Sequence, residues 1–187
     1  SNDGTYWTVS EMMASDPSLR NSRKSKERMI AKDEAAPRWV QIAGADPAQM
    51  ASAAKHCFDR GADIIDINMG CPAKKVCNRA AGSALLRDEL LVRNILSRVT
   101  EAVPIPVTLK IRLGWSKDEI NATEIGLIAK DAGVVSLTVH GRTRACRFAG
   151  EVDYEAIASI KRNVDLPIVA NGDISSPQKA KKVIEIT

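Results

Sequence analysis

The sequence predicts an α/β fold built on a mostly parallel sheet, a (β/α)8 barrel in type, and three observations carry that reading. Short β-branched runs recur at spacings of about 26 to 43 residues, the length of one βα unit. Helix signals lie between them. Each run also stops on a polar side chain: Glu11, Gln41, Asn68, Lys110 with Arg112, His140 and Asn171. In a barrel every strand tip contributes to one rim where the ligand sits, whereas an open doubly wound sheet gathers such residues at a single switch point.

In chain order the expected strands are Tyr6 to Ser10, Arg38 to Ile42, Ile64 to Asn68, Val107 to Ile111, Ser136 to Val139 and Pro167 to Ala170. Asp46 before Pro47 is an N-cap followed by proline at the first helical position, and Ser176 with Pro177 repeats the device. From 46 to 60, Met50, Ala54, Cys57 and Phe58 fall on one face before Gly61. From 119 to 132, Ile125, Ile128, Ala129 and Ala132 make a similar stripe before Gly133. Val103 to Pro106 and Val164 to Pro167 enter their strands alike, a weak internal repeat. Six strands are visible, against eight and about 250 residues in a complete barrel.

Composition bounds the class. With 187 residues, 44% hydrophobic and 27% charged, the chain reads as one soluble, cytosolic domain over 1–187. It holds no apolar run of membrane length and no signal-peptide pattern. The net charge of +4 permits a polyanionic partner without demanding one. Four cysteines in a chain able to bury a core do not make a disulfide framework, and two histidines without paired cysteines make no zinc site, so no metal is expected.

The chemistry concentrates at the strand tips. Asp66-Ile-Asn68-Met-Gly70-Cys71-Pro72 presents a thiol just past a strand, between a glycine that permits a tight turn and a proline that fixes the next φ. Cys57 reads as core, and Cys77 and Cys146 as structural loop residues. Lys110 interrupts an apolar strand, and an inward lysine there calls for an anion. His140-Gly-Arg142-Thr-Arg144 brings an imidazole and two guanidinium groups into one loop. Asn171-Gly172-Asp173, before the Ser176-Pro177 helix start, offers backbone N–H groups to a phosphate. Arg20 to Lys32 carries six basic residues against Glu27, a stretch suited to a nucleic-acid backbone.

These motifs resemble a known family. Val9 to Met13, Val40 to Gly44, Asp66 to Val76, Ala81 to Leu86, Thr108 to Arg112, His140 to Arg144 and Ala170 to Ile174 follow the order of the bacterial tRNA-dihydrouridine synthases, most closely the B-type subfamily. The resemblance implies an FMN-dependent enzyme that uses NADPH to saturate the C5–C6 bond of a uridine in the tRNA D-loop. It implies hydride delivery to C6 by reduced flavin and protonation of C5 by Cys71. Thiols, as a class with pKa near 8.5, serve as general acids at neutral pH. Gln41, Lys110, His140, Asn171, Gly172 and Asp173 match positions around the flavin, and Asn68 and Arg142 match positions near the substrate base. The alternatives to that reading are another FMN barrel oxidoreductase acting on a free pyrimidine, or a catalytically incompetent truncated RNA-binding or interaction fragment.

Against the family pattern the chain aligns with strands two to seven. Its first strand (Ala-Pro-Met-Ala), its last and the C-terminal helical tRNA-binding domain have no counterpart here. The expectation is a barrel that does not close, weak FMN binding and self-association through exposed sheet edges.

Overall fold

The computed structural model describes residues 8–19, 36–73 and 81–187. Six strands form one parallel sheet: β1 (Met13–Ala14), β2 (Trp39–Ala43), β3 (Ile64–Met69), β4 (Val107–Arg112), β5 (Ser136–His140) and β6 (Ile168–Asn171). Their order in space is their order in sequence, each strand pairing with the next. Among the described residues strand order does not reverse, so the sheet has the one-way progression of a barrel and lacks the switch point of a doubly wound fold. Among the described residues β1 pairs only with β2, and β6 only with β5.

Among the described residues four α-helices cross over between strands, α1 (Pro47–Phe58), α2 (Glu89–Ala102), α3 (Ala122–Asp131) and α4 (Tyr154–Asn163), and α5 (Pro177–Ile186) follows β6. The Asp46 side chain accepts from the Gln49 amide and Ser176 from that of Lys179, which are the caps that the proline-started helices require. Gly61 and Gly133 follow their helices at φ of 93° and 86°. Helices α2 and α4 add to the sequence-based outline. Asp88 caps α2, and Val92, Ile95, Leu96 and Val99 form its buried stripe. Among the described residues no helix is long and apolar enough to cross a membrane.

Two expected elements differ. Within Thr8 to Ser10 only Val9 bridges to Trp39, and the first strand lies at Met13–Ala14, beyond Glu11, which is exposed and ends no strand. Tyr6 and Trp7 lie outside the described residues. The third helix begins at Ala122 because Ile120 bridges back to Gly114, closing a turn that uses Glu119.

Alternation along the strands assigns the two faces of the sheet. Val40, Ile42, Ile65, Ile67, Met69, Val107, Leu109, Ile111, Leu137 and Val139 are each at most 2% exposed beneath the helices. Each such side chain stabilises the fold by about 1.5–3 kcal/mol. The alternate residues point to the opposite, concave face and are almost all polar. Trp39 on β2 donates its indole N–H to the Thr108 hydroxyl on β4 at 3.2 Å, reaching across β3 on that face.

Candidate active site

Strand register stacks the concave residues in tiers. Gln41, Asp66, Thr108 and Ser136 lie side by side in the first. Asn68, Lys110, Thr138 and Val169 make the second, and Arg112, His140 and Asn171 the third, at the strand tips. A barrel normally fills such tiers with branched apolar side chains. Here the inner face is charged and hydrogen-bonding instead, which marks it as a binding surface.

The thiol sits at the edge of this face on a fully braced turn. The Asn68 side-chain oxygen accepts from the backbone N–H groups of Gly70 and Cys71, both at 3.0 Å. Arg112 Nε donates to the Gly70 carbonyl at 2.9 Å, and Ser83 Oγ to that of Cys71 at 2.7 Å. All four backbone polar groups of the turn are therefore engaged. Glycine suits the close approach at residue 70, since a Cβ there would lie 3.3 Å from the Ile111 carbonyl carbon, tighter than an ordinary contact. Cys71 itself is half-buried.

Lys110 lies beside Asn68 in register, and burial pushes its ammonium below the usual lysine range, against the attraction of Asp66. Arg112 repels it, and a thiolate at Cys71 would stabilise it. Arg112 feels Cys71 in the same sense, so thiol, lysine and arginine share one electrostatic neighbourhood. Arg112 is 2% exposed and also donates to the carbonyls of Thr143 and Arg147, at 3.1 and 2.6 Å.

His140, opposite Arg112, is neutral at physiological pH. Burial above all, then the charges of Arg112, Lys110 and Arg142, push its pKa down to about 4. Its Nε2 is buried with no hydrogen-bond partner among the described residues. Gly172, at φ 121°, packs against it so closely that a Cβ would lie 3.2 Å from that nitrogen. Because the unfolded chain protonates first, near 6.5, stability is full above that pH and declines as pH falls toward about 4. The loss reaches up to ~3 kcal/mol. His140→Gln is expected to flatten this part of the unfolding-versus-pH curve; an identical slope in the variant would refute it.

The sequence-based candidates divide. Cys71, Asn68, Gln41, Lys110 and His140 meet on the concave face or its rim, and Asn171 stands beside His140 in register. Arg142 and Asp173 instead face each other. The guanidinium donates to both carboxylate oxygens and to the Gly150 carbonyl, which holds the Asp173 carboxyl below its ordinary range. Arg142 is only 5% exposed, so the pair braces the loops after β5 and β6. Gln41 and Asn68 are hydrogen-bonded to each other as well as to other groups. Cys57 is core, as its helix stripe predicts; Cys146 is half-buried and hydrogen-bonded to the Thr143 hydroxyl. Cys77 and the basic stretch Arg20 to Lys32 lie outside the described residues. Sequence reasoning passed over Asp66, Thr108 and Trp39, although the alternation that exposes Asn68 and Lys110 puts Asp66 and Thr108 on the same face.

A partial parallel barrel that gathers a thiol, two cations and a neutral imidazole at neighbouring strand ends defines an enzyme scaffold of the (β/α)8 class. The chain belongs to the dihydrouridine synthase family, whose model, described as dihydrouridine synthase (Dus), matches residues 2–187. It is similar to tRNA-dihydrouridine synthase B of Pseudomonas aeruginosa, with 59% identity over 184 residues, 98% of this chain and 55% of that protein. The protein of the same name from Escherichia coli (strain K12) is 53% identical over 98% of this chain and 57% of its own length. The chain thus spans a little over half the length of these curated relatives. Among solved structures, one described as a mandelate racemase/muconate lactonizing enzyme from Burkholderia SAR-1 matches with TM-score 0.55 at 14% identity. The match covers 84% of this chain and 35% of that one. That likeness concerns the fold alone.

Proposed function

We propose that residues 1–187 act as the FMN-binding catalytic barrel of an enzyme that reduces a uridine of the tRNA D-loop to 5,6-dihydrouridine at the expense of NADPH. The observation that carries this reading is the braced Cys71 turn, which shares one electrostatic neighbourhood with Lys110 and Arg112, the latter paired in register with His140. These residues fit a flavin: an unpartnered buried imidazole nitrogen and a desolvated ammonium suit a polar, electron-rich ring edge. Bound there in reduced form, a flavin would supply hydride to the pyrimidine ring.

In this reading the chain's own residues do the rest. Cys71 donates the thiol proton to C5, and the positive charges of Lys110 and Arg112 stabilise the thiolate left behind until solvent reprotonates it. Lys110 would also offset negative charge on a reduced flavin ring. His140, neutral, hydrogen-bonds without adding charge, and the Asn171 to Asp173 loop, fastened by Arg142, borders the cofactor. The uridine leaves its stack to enter the hollow. Asn68 and Gln41 each have a second amide hydrogen for the ligand.

The test uses the complete protein with NADPH, offered either unmodified tRNA or free uracil and uridine. Dihydrouridine in tRNA alone is the expected product; reduction of the free pyrimidine instead would replace this reading with that of a small-molecule oxidoreductase. Lys110→Ala is expected to weaken flavin retention about tenfold or more through loss of a buried charge-assisted contact. Wild-type flavin occupancy in that variant would mean the ammonium merely reaches past the site to water.

A further inference from the structure

We propose that Asp66 is a positioning residue for the Cys71 thiol, acting through a one-way chain of hydrogen bonds that runs through Gln41 and Asn68 to the backbone of the thiol turn. The catalytic consequence rests on the reading of Cys71 as proton donor; the positioning itself does not.

Both ends of the chain have fixed polarity. An ionised carboxylate only accepts, and a backbone N–H only donates. Between them stand two amides, each with one donating and one accepting end. A single arrangement pairs donor with acceptor at every junction, and it is the one observed. Gln41 Nε2 donates to Asp66 at 2.7 Å, Asn68 Nδ2 donates to Gln41 Oε1 at 2.7 Å, and the Gly70 and Cys71 amides donate to Asn68 Oδ1 at 3.0 Å. Turning either amide over sets donor against donor and acceptor against acceptor, a cost that a buried network does not tolerate.

Asp66 is held from its other side too. The Thr108 hydroxyl donates to it at 2.6 Å and in turn accepts from the Trp39 indole. At 3% exposure Asp66 lies two tiers below the strand tips, away from the rim. Burial raises its pKa, while Thr108, Gln41 and Lys110 favour the ionised form that the chain requires. Its influence therefore passes through the amides to the turn. The rival role, a plain counter-charge for Lys110, predicts effects on flavin binding alone.

Asp66→Asn in the complete protein separates the two. An amide at 66 can present N–H to Gln41 and permits the flipped chain. Site-resolved mass spectrometry of iodoacetamide labelling is expected to find Cys71 alkylated severalfold faster. Oxidation of the reduced enzyme by tRNA is expected to slow by about 10- to 100-fold, the usual cost of a small misplacement. Reduction of bound flavin by NADPH should be retained. Thr108→Val keeps the carboxylate charge and removes the hydroxyl that donates to it and accepts from the Trp39 indole; faster Cys71 labelling is expected there as well, and this variant carries the test if Asp66→Asn fails to fold. Unchanged Cys71 labelling in a folded variant, with only flavin affinity altered, would overturn the proposal in favour of the counter-charge role. Faster labelling with an unaffected tRNA step would uphold the positioning and remove Cys71 from proton donation.

Discussion

Cys71→Ala in the complete protein is expected to bind flavin and oxidise NADPH as the parent does, yet to form dihydrouridine about a hundred to ten thousand times more slowly. That range is what a positioned general acid contributes. The reasoning is local: the turn is held by Asn68, Arg112 and Ser83 through its backbone, so deleting the thiol leaves the scaffold in place. Cys71→Ser keeps the size and hydrogen-bonding capacity but is a far weaker acid, and should be nearly as slow. Single-turnover reduction of tRNA, monitored by flavin reoxidation, is the measurement. A parental rate in Cys71→Ala would exclude the thiol from the reaction.

The second large effect is on stability. Arg112→Met should cost about 3 to 5 kcal/mol, because one buried guanidinium satisfies the carbonyls of Gly70, Thr143 and Arg147 and nothing in a thioether replaces it. These carbonyls belong to the loops after β3 and β5, so the same change loosens both sides of the hollow. Arg112→Lys retains the charge but cannot reach three acceptors from one ammonium, and should recover only a minor part. Urea unfolding followed by tryptophan fluorescence reads the difference. A loss below about 0.5 kcal/mol would mean that water or neighbouring donors satisfy the carbonyls, as at an ordinary surface position.

Much of the fold was legible because its signals are local. Asp46 with Pro47, Ser176 with Pro177, Gly61 and Gly133 act through their own turn of chain, and the helices start or stop beside them. The first strand was misplaced for the complementary reason. Near Val9 the run is β-branched enough to look like a strand, but pairing depends on what β2 offers, and the ladder forms at Met13 and Ala14. The site was legible where a residue's type conflicts with its surroundings, as a lysine in an apolar strand or a thiol between glycine and proline does.

What the sequence determined by itself was the alternation of strands and helices, the polar tips and the identity of the chemical groups, since periodicity and capping are written within a few residues. Which of those groups confront one another was decided only by the tertiary structure. Parallel pairing sets Asn68 beside Lys110 and Arg112 beside His140 across about 30 to 40 residues of intervening chain. It also turns Arg142 upon Asp173, a partner chosen by the burial of its guanidinium that no local pattern announces. A buried charge takes the counter-charge or carbonyl that folding brings within reach, and that choice is made between distant segments.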